Sequence, residues 1–237
     1  MKIKVINPNT TASMTEKIGA AARAIALSGT EIIACNPKSG PAAIEGHYDE
    51  ALSVIGVLDE IRKGEADGID GYVIACFGDP GLLAARELAK GPVLGIAEAA
   101  MHAASFVSTG FSIVTTLERT RVIAQHLVDN YGMSRFCRKI RAINCPVLSL
   151  EDIQTKTAIL QECHKALQED DCGAIVLGCG GMADLSIPLS HELGIPVIDG
   201  VNVAVKFAEA LVSLGLGTSK VGDLAYPTSK SYLGMLR

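Results

Sequence analysis

Two stretches of similar sequence, Tyr72-Val-Ile-Ala-Cys76 and Ile175-Val-Leu-Gly-Cys179, decide the fold of this chain. Each is an apolar run that ends in a cysteine, and a glycine follows within two residues. Farther along lie two more matching runs, Pro92-Val-Leu-Gly95 and Pro196-Val-Ile-Asp199. Continuous apolar runs of this length are typical of parallel strands that are buried on both faces. The repeat predicts two similar α/β lobes that face each other across a cleft, and chance similarity between two strand–helix units is the alternative.

The rest of the chain alternates short apolar runs with longer amphipathic stretches, which predicts mainly parallel sheets flanked by helices. The expected strands cover residues 2–6, 31–35, 71–75, 93–95, 111–115, 140–144, 174–177 and 197–198. The clearest helical patterns cover residues 15–27, 49–63, 119–131 and 155–168, and a final helix is expected near 205–214. We expect residues 1–105 together with 205–237 to form the first lobe and residues 106–204 the second, with the active site in the cleft between them.

The composition is that of a soluble globular protein. The chain has 237 residues, of which 49% are hydrophobic and 20% charged, and its net charge is −5. No apolar run approaches the roughly 18–20 residues that span a bilayer, so no membrane partner is expected. No basic patch indicates binding to nucleic acid. The first strand pattern begins at Lys2 without the layout of a signal peptide, which favours a cytoplasmic location.

The seven cysteines are expected to be reduced thiols, because their number is odd and no secretion signal is expected. Cys163 and His164 are neighbours, but adjacent helical residues point in different directions, and no other Cys/His group has zinc-ligand spacing. The P-loop, the G-x-S-x-G nucleophile motif and the H-E-x-x-H zinc motif are also missing from the sequence. We therefore expect a chemistry that needs neither a metal nor an organic cofactor.

Cys76 and Cys179 are the strongest candidates for catalysis. In open α/β sheets ligands bind beyond the carboxyl ends of the strands, where both cysteines are expected to lie. The glycines and helix starts that follow offer backbone N–H groups that favour a thiolate, so we expect lowered thiol pKa values. The same N–H groups are expected to hold a developing enolate oxygen. A thiolate and a thiol on opposite faces of a substrate form the pair that stereoinversion needs.

The remaining cysteines and several polar residues are expected to be structural. Free cysteine usually packs in the core, and none of the other five has the glycine turn: Cys35, Cys137, Cys145, Cys163 and Cys172. Asp79 is expected to cap the helix that follows it, and His102 to have a structural role. For Glu45 and His47 a solvated helix start is favoured over a place in the pocket.

At these residues the chain resembles the hydantoin racemases of the aspartate/glutamate racemase superfamily. The motifs that carry the resemblance are Val5-Ile-Asn-Pro-Asn-Thr10, Ile44-Glu-Gly-His47, Val73-Ile-Ala-Cys-Phe-Gly-Asp-Pro-Gly81, Gly95-Ile-Ala-Glu-Ala-Ala100, Ile175-Val-Leu-Gly-Cys-Gly-Gly-Met182 and Pro196-Val-Ile-Asp199. Within the family the chain is most similar to the allantoin racemases, in Asp79-Pro-Gly-Leu-Leu-Ala-Ala-Arg86, Phe111-Ser-Ile-Val-Thr-Thr116 and Gly222-Asp-Leu-Ala225. The match covers nearly the whole chain.

The resemblance implies a cofactor-independent homo-oligomer that racemises a small cyclic ureide, either allantoin or another 5-monosubstituted hydantoin. It implies that Cys76 and Cys179 exchange the proton at C5. The pocket positions that it implies are Asn9, Ile44, Phe77, Gly78, Thr115, Thr116, Gly180 and Gly181.

Other activities of the superfamily remain as alternatives. Amino-acid racemases and maleate isomerase also use two cysteines, but amino-acid substrates need charged partners and the stretches around Cys76 and Cys179 are poor in Lys and Arg. Arylmalonate decarboxylase keeps one catalytic cysteine, so the pair argues against it. A non-enzymatic binding protein with two lobes is the alternative from a different class. The sequence does not decide the preferred C5 substituent, the oligomer number, or which cysteine serves which enantiomer.

Overall fold

The structure of the chain is a computed structural model that describes residues 1–232. The strands are β1 Lys2–Ile6, β2 Glu31–Cys35, β3 Gly71–Ile74, β4 Val93–Gly95, β5 Phe111–Thr115, β6 Cys137–Ala142, β7 Ala174–Leu177 and β8 Val197–Asp199. The α-helices are α1 Ala12–Ile25, α2 His47–Ala66, α3 Leu82–Leu88, α4 Ile96–Val107, α5 Thr120–Asn130, α6 Ile153–Glu169, α7 Ser186–Leu193 and α8 Gly200–Ser213. Short 3-10 helices cover Val147–Ser149, Gly180–Leu185 and Gly222–Leu224. No helix in residues 1–232 is both long and apolar enough to cross a membrane.

The strands form two sheets with the same topology. The first sheet has the order β2-β1-β3-β4 and the second the order β6-β5-β7-β8. Every neighbouring pair in both sheets is parallel. The expected fold class, two similar α/β lobes with parallel sheets, is therefore confirmed, and the repeat in the sequence corresponds to a repeat in the strand order.

The clearest difference from the expected strands is at β6. This strand covers Cys137–Ala142 instead of residues 140–144. It lies at the edge of its sheet, where Arg138 and Lys139 are exposed to solvent. Charged residues are common on edge strands because they discourage pairing with other chains, and they hide the apolar pattern that identifies a central strand.

Helices α4 and α8 each pack against the sheet formed by the other half of the chain. Helix α8 follows the second sheet along the chain, yet its Ala204 and Val205 pack in a cluster with Val5 of the first sheet. Helix α4 follows the first sheet, yet its Met101 packs in a cluster with Ile113 of the second sheet. The two helices also contact each other. This packing fixes the two sheets relative to one another, and the division into residues 1–105 plus 205–237 and 106–204 stays a prediction.

The strand order places the carboxyl ends of the central strands where a ligand can bind. In each sheet the second strand of the chain pairs on one side of the first strand, and the third and fourth strands are added on its other side. This reversal of direction leaves a crevice between the two central strands. Those strands are β1 and β3 in the first sheet and β5 and β7 in the second. Cys76 lies just beyond β3, and Cys179 lies just beyond β7.

Candidate active site

A narrow cavity of about 50 Å³ is lined by both Cys76 and Cys179. Its wall is built from the loops that follow the central strands and from the first turns of nearby helices. From the first half of the chain the wall contains Asn7, Asn9, Met14, Ile44, Glu50, Ala75, Cys76, Phe77 and Gly78. From the second half it contains Thr115, Thr116, Thr120, Ile123, Ala124, Val147, Gly178, Cys179, Gly180 and Gly181.

All of the expected pocket positions lie in this wall. They are Asn9, Ile44, Phe77, Gly78, Thr115, Thr116, Gly180 and Gly181. These residues come from separate loops of the two sheets, so the fold brings them together around the two cysteines. Their contact with a substrate stays a prediction.

Three polar residues of the wall were not among the expected pocket positions. Asn7 belongs to the Asn7-Pro-Asn-Thr10 motif, and its amide donates to Asn9 Oδ1 at 2.8 Å. Glu50 lies in the first turn of α2, and its position one turn after His47 was the signal that could have identified it. Thr120 begins α5 and hydrogen bonds to Thr115 between their hydroxyl oxygens at 3.0 Å. We find no sequence signal for Thr120, because its place depends on how α5 folds back over the loop.

Gly180 allows the two halves of the site to meet. A Cβ atom at this position would lie 2.6 Å from the carbonyl oxygen of Ala75, closer than any real side chain tolerates. Ala75 directly precedes Cys76, and Gly180 directly follows Cys179. The backbones that carry the two cysteines therefore touch, and this close approach needs a residue without a side chain.

The thiol pKa values differ from the expected lowering. Burial raises the pKa of Cys179 to about 11, although the Gly181 backbone N–H and the charge of Lys17 lower it. Burial also raises the pKa of Cys76 well above its usual range, although the Gly78 backbone N–H lowers it. Loss of water therefore outweighs the local donors, and both residues are mostly thiols at neutral pH. The Gly78 and Gly181 N–H groups act on the thiol pKa values, and their expected hold on an enolate oxygen stays a prediction.

The charges around the two cysteines are unequal. Asp79 and Glu50 both raise the pKa of Cys76, as does the nearby Cys179, although burial is the larger cause. Lys17 lowers the pKa of Cys179, and Glu45 raises it, again after the larger effect of burial. An acidic surrounding disfavours a thiolate at Cys76, while Lys17 favours one at Cys179, so Cys179 is the more acidic thiol.

Asp79 does not cap the helix that follows it, which was the expected role. Its carboxylate instead accepts the backbone N–H groups of Ala97 at 3.0 Å and Glu98 at 2.9 Å, at the start of α4. It also accepts the Tyr131 hydroxyl at 2.8 Å. Burial raises the pKa of Asp79 to about 7, although these three donors lower it. The turn after Cys76 is thereby attached to α4 and to the end of α5, contacts that sequence proximity could not indicate.

Glu45, His47 and His102 lie outside the cavity wall. His47 begins α2 with its side chain 66% exposed, in agreement with a solvated helix start. Glu45 instead accepts the backbone N–H of Val147 at 2.8 Å, which joins the first half of the chain to the second. His102 lies on α4 with Nδ1 2.8 Å from the Glu98 carbonyl oxygen, as suits a structural residue.

The other cysteines are also outside the wall: Cys35, Cys137, Cys145, Cys163 and Cys172. Within residues 1–232, no group of three or more His, Cys, Asp and Glu side chains is placed to hold a metal ion. The chemical resources of the cavity are therefore two thiols, one carboxyl group, hydroxyls, amides and backbone groups.

Comparison with known proteins identifies the family. The Asp/Glu/Hydantoin racemase family model matches residues 3–208. A hydantoin racemase from Rhizobium meliloti is 52% identical over 99% of this chain and 98% of its own length. The solved structure of allantoin racemase from Klebsiella pneumoniae is 59% identical, with a TM-score of 0.98 over 99% of this chain and 97% of that one. A glutamate racemase from Francisella tularensis shares the fold alone, at 14% identity and a TM-score of 0.65 over 92% of this chain and 84% of that one.

The family model covers most of the chain, and the relative at 52% identity is matched over nearly its full length. These matches agree with the two equivalent cysteines on equivalent strands. They also decide against a non-enzymatic binding protein. The chain belongs to the Asp/Glu/Hydantoin racemase family and is an isomerase of the racemase type.

Proposed function

We propose that the chain racemises allantoin or another 5-monosubstituted hydantoin by moving the C5 proton between Cys76 and Cys179. The observation that carries this proposal is the placement of both cysteines in the wall of one cavity, at equivalent strand ends of two similar sheets. The names of the relatives support the substrate class, since one is a hydantoin racemase and another an allantoin racemase. Allantoin is itself a hydantoin with a ureido group at C5, so both readings describe one reaction.

The reaction balances with the two thiol groups alone. One cysteine, as the thiolate, removes the proton from C5, and the C–H electrons move into the adjacent ring carbonyl to form an enolate. The other cysteine, as the thiol, then gives its proton to the opposite face of C5, and the enolate collapses back to the carbonyl. The product is the other enantiomer, and the enzyme is left with its two protonation states exchanged.

The enolate oxygen needs donors that are not already used. The Asn9 amide nitrogen donates to the Met14 sulfur at 3.2 Å, and a thioether is a weak acceptor that a better one can replace. The Thr116 hydroxyl makes no hydrogen bond to another described residue, and Thr116 is buried in the cavity wall. We assign these two groups to the enolate oxygen, because fixed donors in a dry site are worth far more than the same donors in water.

The charges of the cavity support a neutral substrate. Among the described residues of the wall, Glu50 is charged and negative, and no Lys or Arg is present. Amino-acid racemases and maleate isomerase act on carboxylates, which a wall with a carboxylate and no cation would repel. A neutral cyclic ureide avoids this repulsion.

The unequal acidity of the two thiols suggests the resting state. Lys17 favours the thiolate at Cys179, and acidic neighbours disfavour it at Cys76. We infer that the commoner active form has Cys179 as the thiolate and Cys76 as the thiol, the form that accepts the enantiomer whose C5 hydrogen faces Cys179.

The test separates the two cysteines by the face of the substrate that each serves. We expect Cys76→Ser and Cys179→Ser each to lower racemisation by about 100- to 10,000-fold, because a hydroxyl is a much weaker acid and base than a thiol. In deuterated water each variant should still exchange the C5 hydrogen of one enantiomer without inverting it. The two variants should prefer opposite enantiomers. Polarimetry measures inversion, and NMR measures exchange.

Cys145→Ser is a matched control, because Cys145 is partly buried and lies outside the cavity wall. It should racemise at close to the wild-type rate. Racemisation that persists in Cys179→Ser would contradict the two-base mechanism and would favour a single catalytic cysteine.

We further propose a homo-oligomer in the cytoplasm, as expected from the sequence, and a role in purine catabolism if allantoin is the substrate. An exposed apolar surface supports the oligomer. Phe106 is 74% exposed on α4, and its ring lies 6.3 Å from that of Phe207 on α8. Single exposed apolar residues are common, but a cluster of aromatic rings on neighbouring helices is typical of an interface. Light scattering would measure the oligomer number.

A further inference from the structure

Glu50 is the charged residue of the cavity wall, and the proposed proton transfer does not use it. It lies in the first turn of α2 with its side chain 26% exposed. A Cβ atom on Gly78 would lie 3.7 Å from the carboxyl carbon of Glu50, so this group lies beside the turn that carries Cys76. The carboxylate therefore faces the reacting end of the cavity.

The carboxylate of Glu50 has acceptor capacity to spare. Its nearest ionisable neighbour is His47, whose Nδ1 is 3.8 Å away, beyond hydrogen-bond distance. No other described residue donates a hydrogen bond to it. The His47 ring stacks on His126 of α5, with ring centroids 6.0 Å apart, and both imidazoles act electrostatically on Glu50. Burial raises the pKa of Glu50, although the two histidines lower it. Because this side chain is partly exposed, water can satisfy the carboxylate in the empty cavity, and a substrate that displaces the water must supply an N–H donor in its place.

The chemistry of a hydantoin limits where Glu50 can act. The ring carbonyl beside C5 gains negative charge during the reaction, so a carboxylate next to it would slow the reaction. Glu50 therefore belongs on the other side of C5, toward the ring N–H and the C5 substituent. Hydrocarbon substituents offer no donor there, whereas a ureido group offers several N–H donors.

We propose that Glu50 determines substrate preference by accepting hydrogen bonds from the N–H groups of a ureido substituent at C5. This inference rests on the proposed racemisation of hydantoins and adds the part of the substrate that the cavity recognises. A site that hydrogen bonds to one substrate discriminates against analogues that displace water from the acceptor and leave it unpaired. The apolar wall residues Ile44, Phe77 and Ile123 favour a hydrocarbon substituent and offer a ureido group no side-chain acceptor, so a preference for ureido needs Glu50.

The experiment compares two substrates of matched shape, 5-ureidohydantoin and 5-isobutylhydantoin, whose substituents have the same number of non-hydrogen atoms and the same branching. The readout is the ratio of their kcat/KM values. In Glu50→Leu we expect the ratio of ureido to isobutyl substrate to fall about 10- to 100-fold, the usual worth of a hydrogen bond to a charged group. In Glu50→Gln it should fall less, because the amide oxygen still accepts.

The ratio isolates recognition from general effects on catalysis. Loss of the negative charge beside Cys76 would also change the pKa of that thiol. This effect would change kcat/KM for both substrates by the same factor, so it cancels in the ratio. Asp59→Asn is the matched control, because Asp59 is an exposed carboxylate on the same helix and outside the wall. It should leave the ratio unchanged.

The outcomes separate this inference from the proposed function. A wild-type enzyme that racemises neither substrate would overturn the proposed function itself. A wild-type enzyme that is active, with variants that lose both substrates equally, would overturn the role of Glu50 in substrate preference and leave the two-cysteine racemase intact. Turnover of the isobutyl substrate by the variants reports that they are folded.

Discussion

At the scale of single residues, the reactivity of the site depends on a balance between lost hydration and a few fixed partners. The glycine turns after Cys76 and Cys179 do supply N–H groups to the sulfurs, as the sequence predicts. The predicted lowering of the two thiol pKa values was wrong, because a sequence pattern shows which donors are near and not how much water the fold removes. The same reason explains why Glu50 was missed, since its place in the wall depends on the direction of α2.

These pKa values predict the pH dependence of the reaction. Below the pKa of about 11 at Cys179, the thiolate fraction grows about tenfold per pH unit. We therefore expect kcat/KM for either enantiomer to keep rising from pH 6 toward pH 9, at subsaturating substrate and with an enzyme-free blank at each pH. A profile that is flat above pH 7 would show that a thiol with a lowered pKa carries the reaction.

Stability should move in the opposite direction. A thiol whose pKa is raised in the folded state stabilises the fold below its unfolded pKa of about 8.5, and this contribution is lost as pH rises toward the folded value. The free energy of unfolding should therefore decline above about pH 8.5 while activity still increases.

At the scale of helices and strands, the predictable elements were those with a strong pattern. Central strands such as β3 and β7 are buried on both faces and read as apolar runs, whereas the charged edge strand β6 does not. The attachment of the Cys76 turn could not be predicted, because Asp79 meets α4 and Tyr131 only in the folded chain. Gly95 makes room for it, since a Cβ atom there would overlap the Asp79 carboxylate.

Substitution of Asp79 should test this attachment. Asp79 has a φ of 45°, which asparagine tolerates as well as aspartate, so Asp79→Asn changes the hydrogen bonds without new backbone strain. The amide nitrogen would face donors that now bind a carboxylate oxygen, so we expect a loss of about 1–3 kcal/mol in the free energy of unfolding and a lower kcat. Urea denaturation and initial rates would measure both.

Tyr131→Phe should be a less destabilising substitution, because it removes only one of the three donors to Asp79. It should cost about 1 kcal/mol and leave most of the activity. If Tyr131→Phe were as damaging as Asp79→Asn, the attachment to the start of α4 would not be the important one.

At the scale of the whole molecule, the two similar sheets act as one unit through groups that cross between them. Helices α4 and α8 each pack against the sheet of the other half of the chain, and the backbones that carry the two cysteines meet at Ala75 and Gly180. The internal repeat predicted two lobes, but a repeat describes each unit and not the contacts between units. One such contact lies beside the site: Lys17 Nζ on α1 is 2.9 Å from Asp184 Oδ1 and 2.5 Å from Glu151 Oε1.

Lys17 should affect catalysis through its charge and not only through these ion pairs. Asp184 lies in the 3-10 helix that begins after Cys179, and Lys17 lowers the pKa of that thiol. In Lys17→Met we expect kcat/KM at pH 7 to fall about two- to fivefold and the rising part of the pH profile to move to higher pH, the size of a partly exposed charge interaction. Lys17→Arg keeps the charge and should keep the profile. Glu151→Gln breaks one ion pair but retains the cation, so an equal shift in that variant would show that contact between the lobes, and not the charge near Cys179, is responsible.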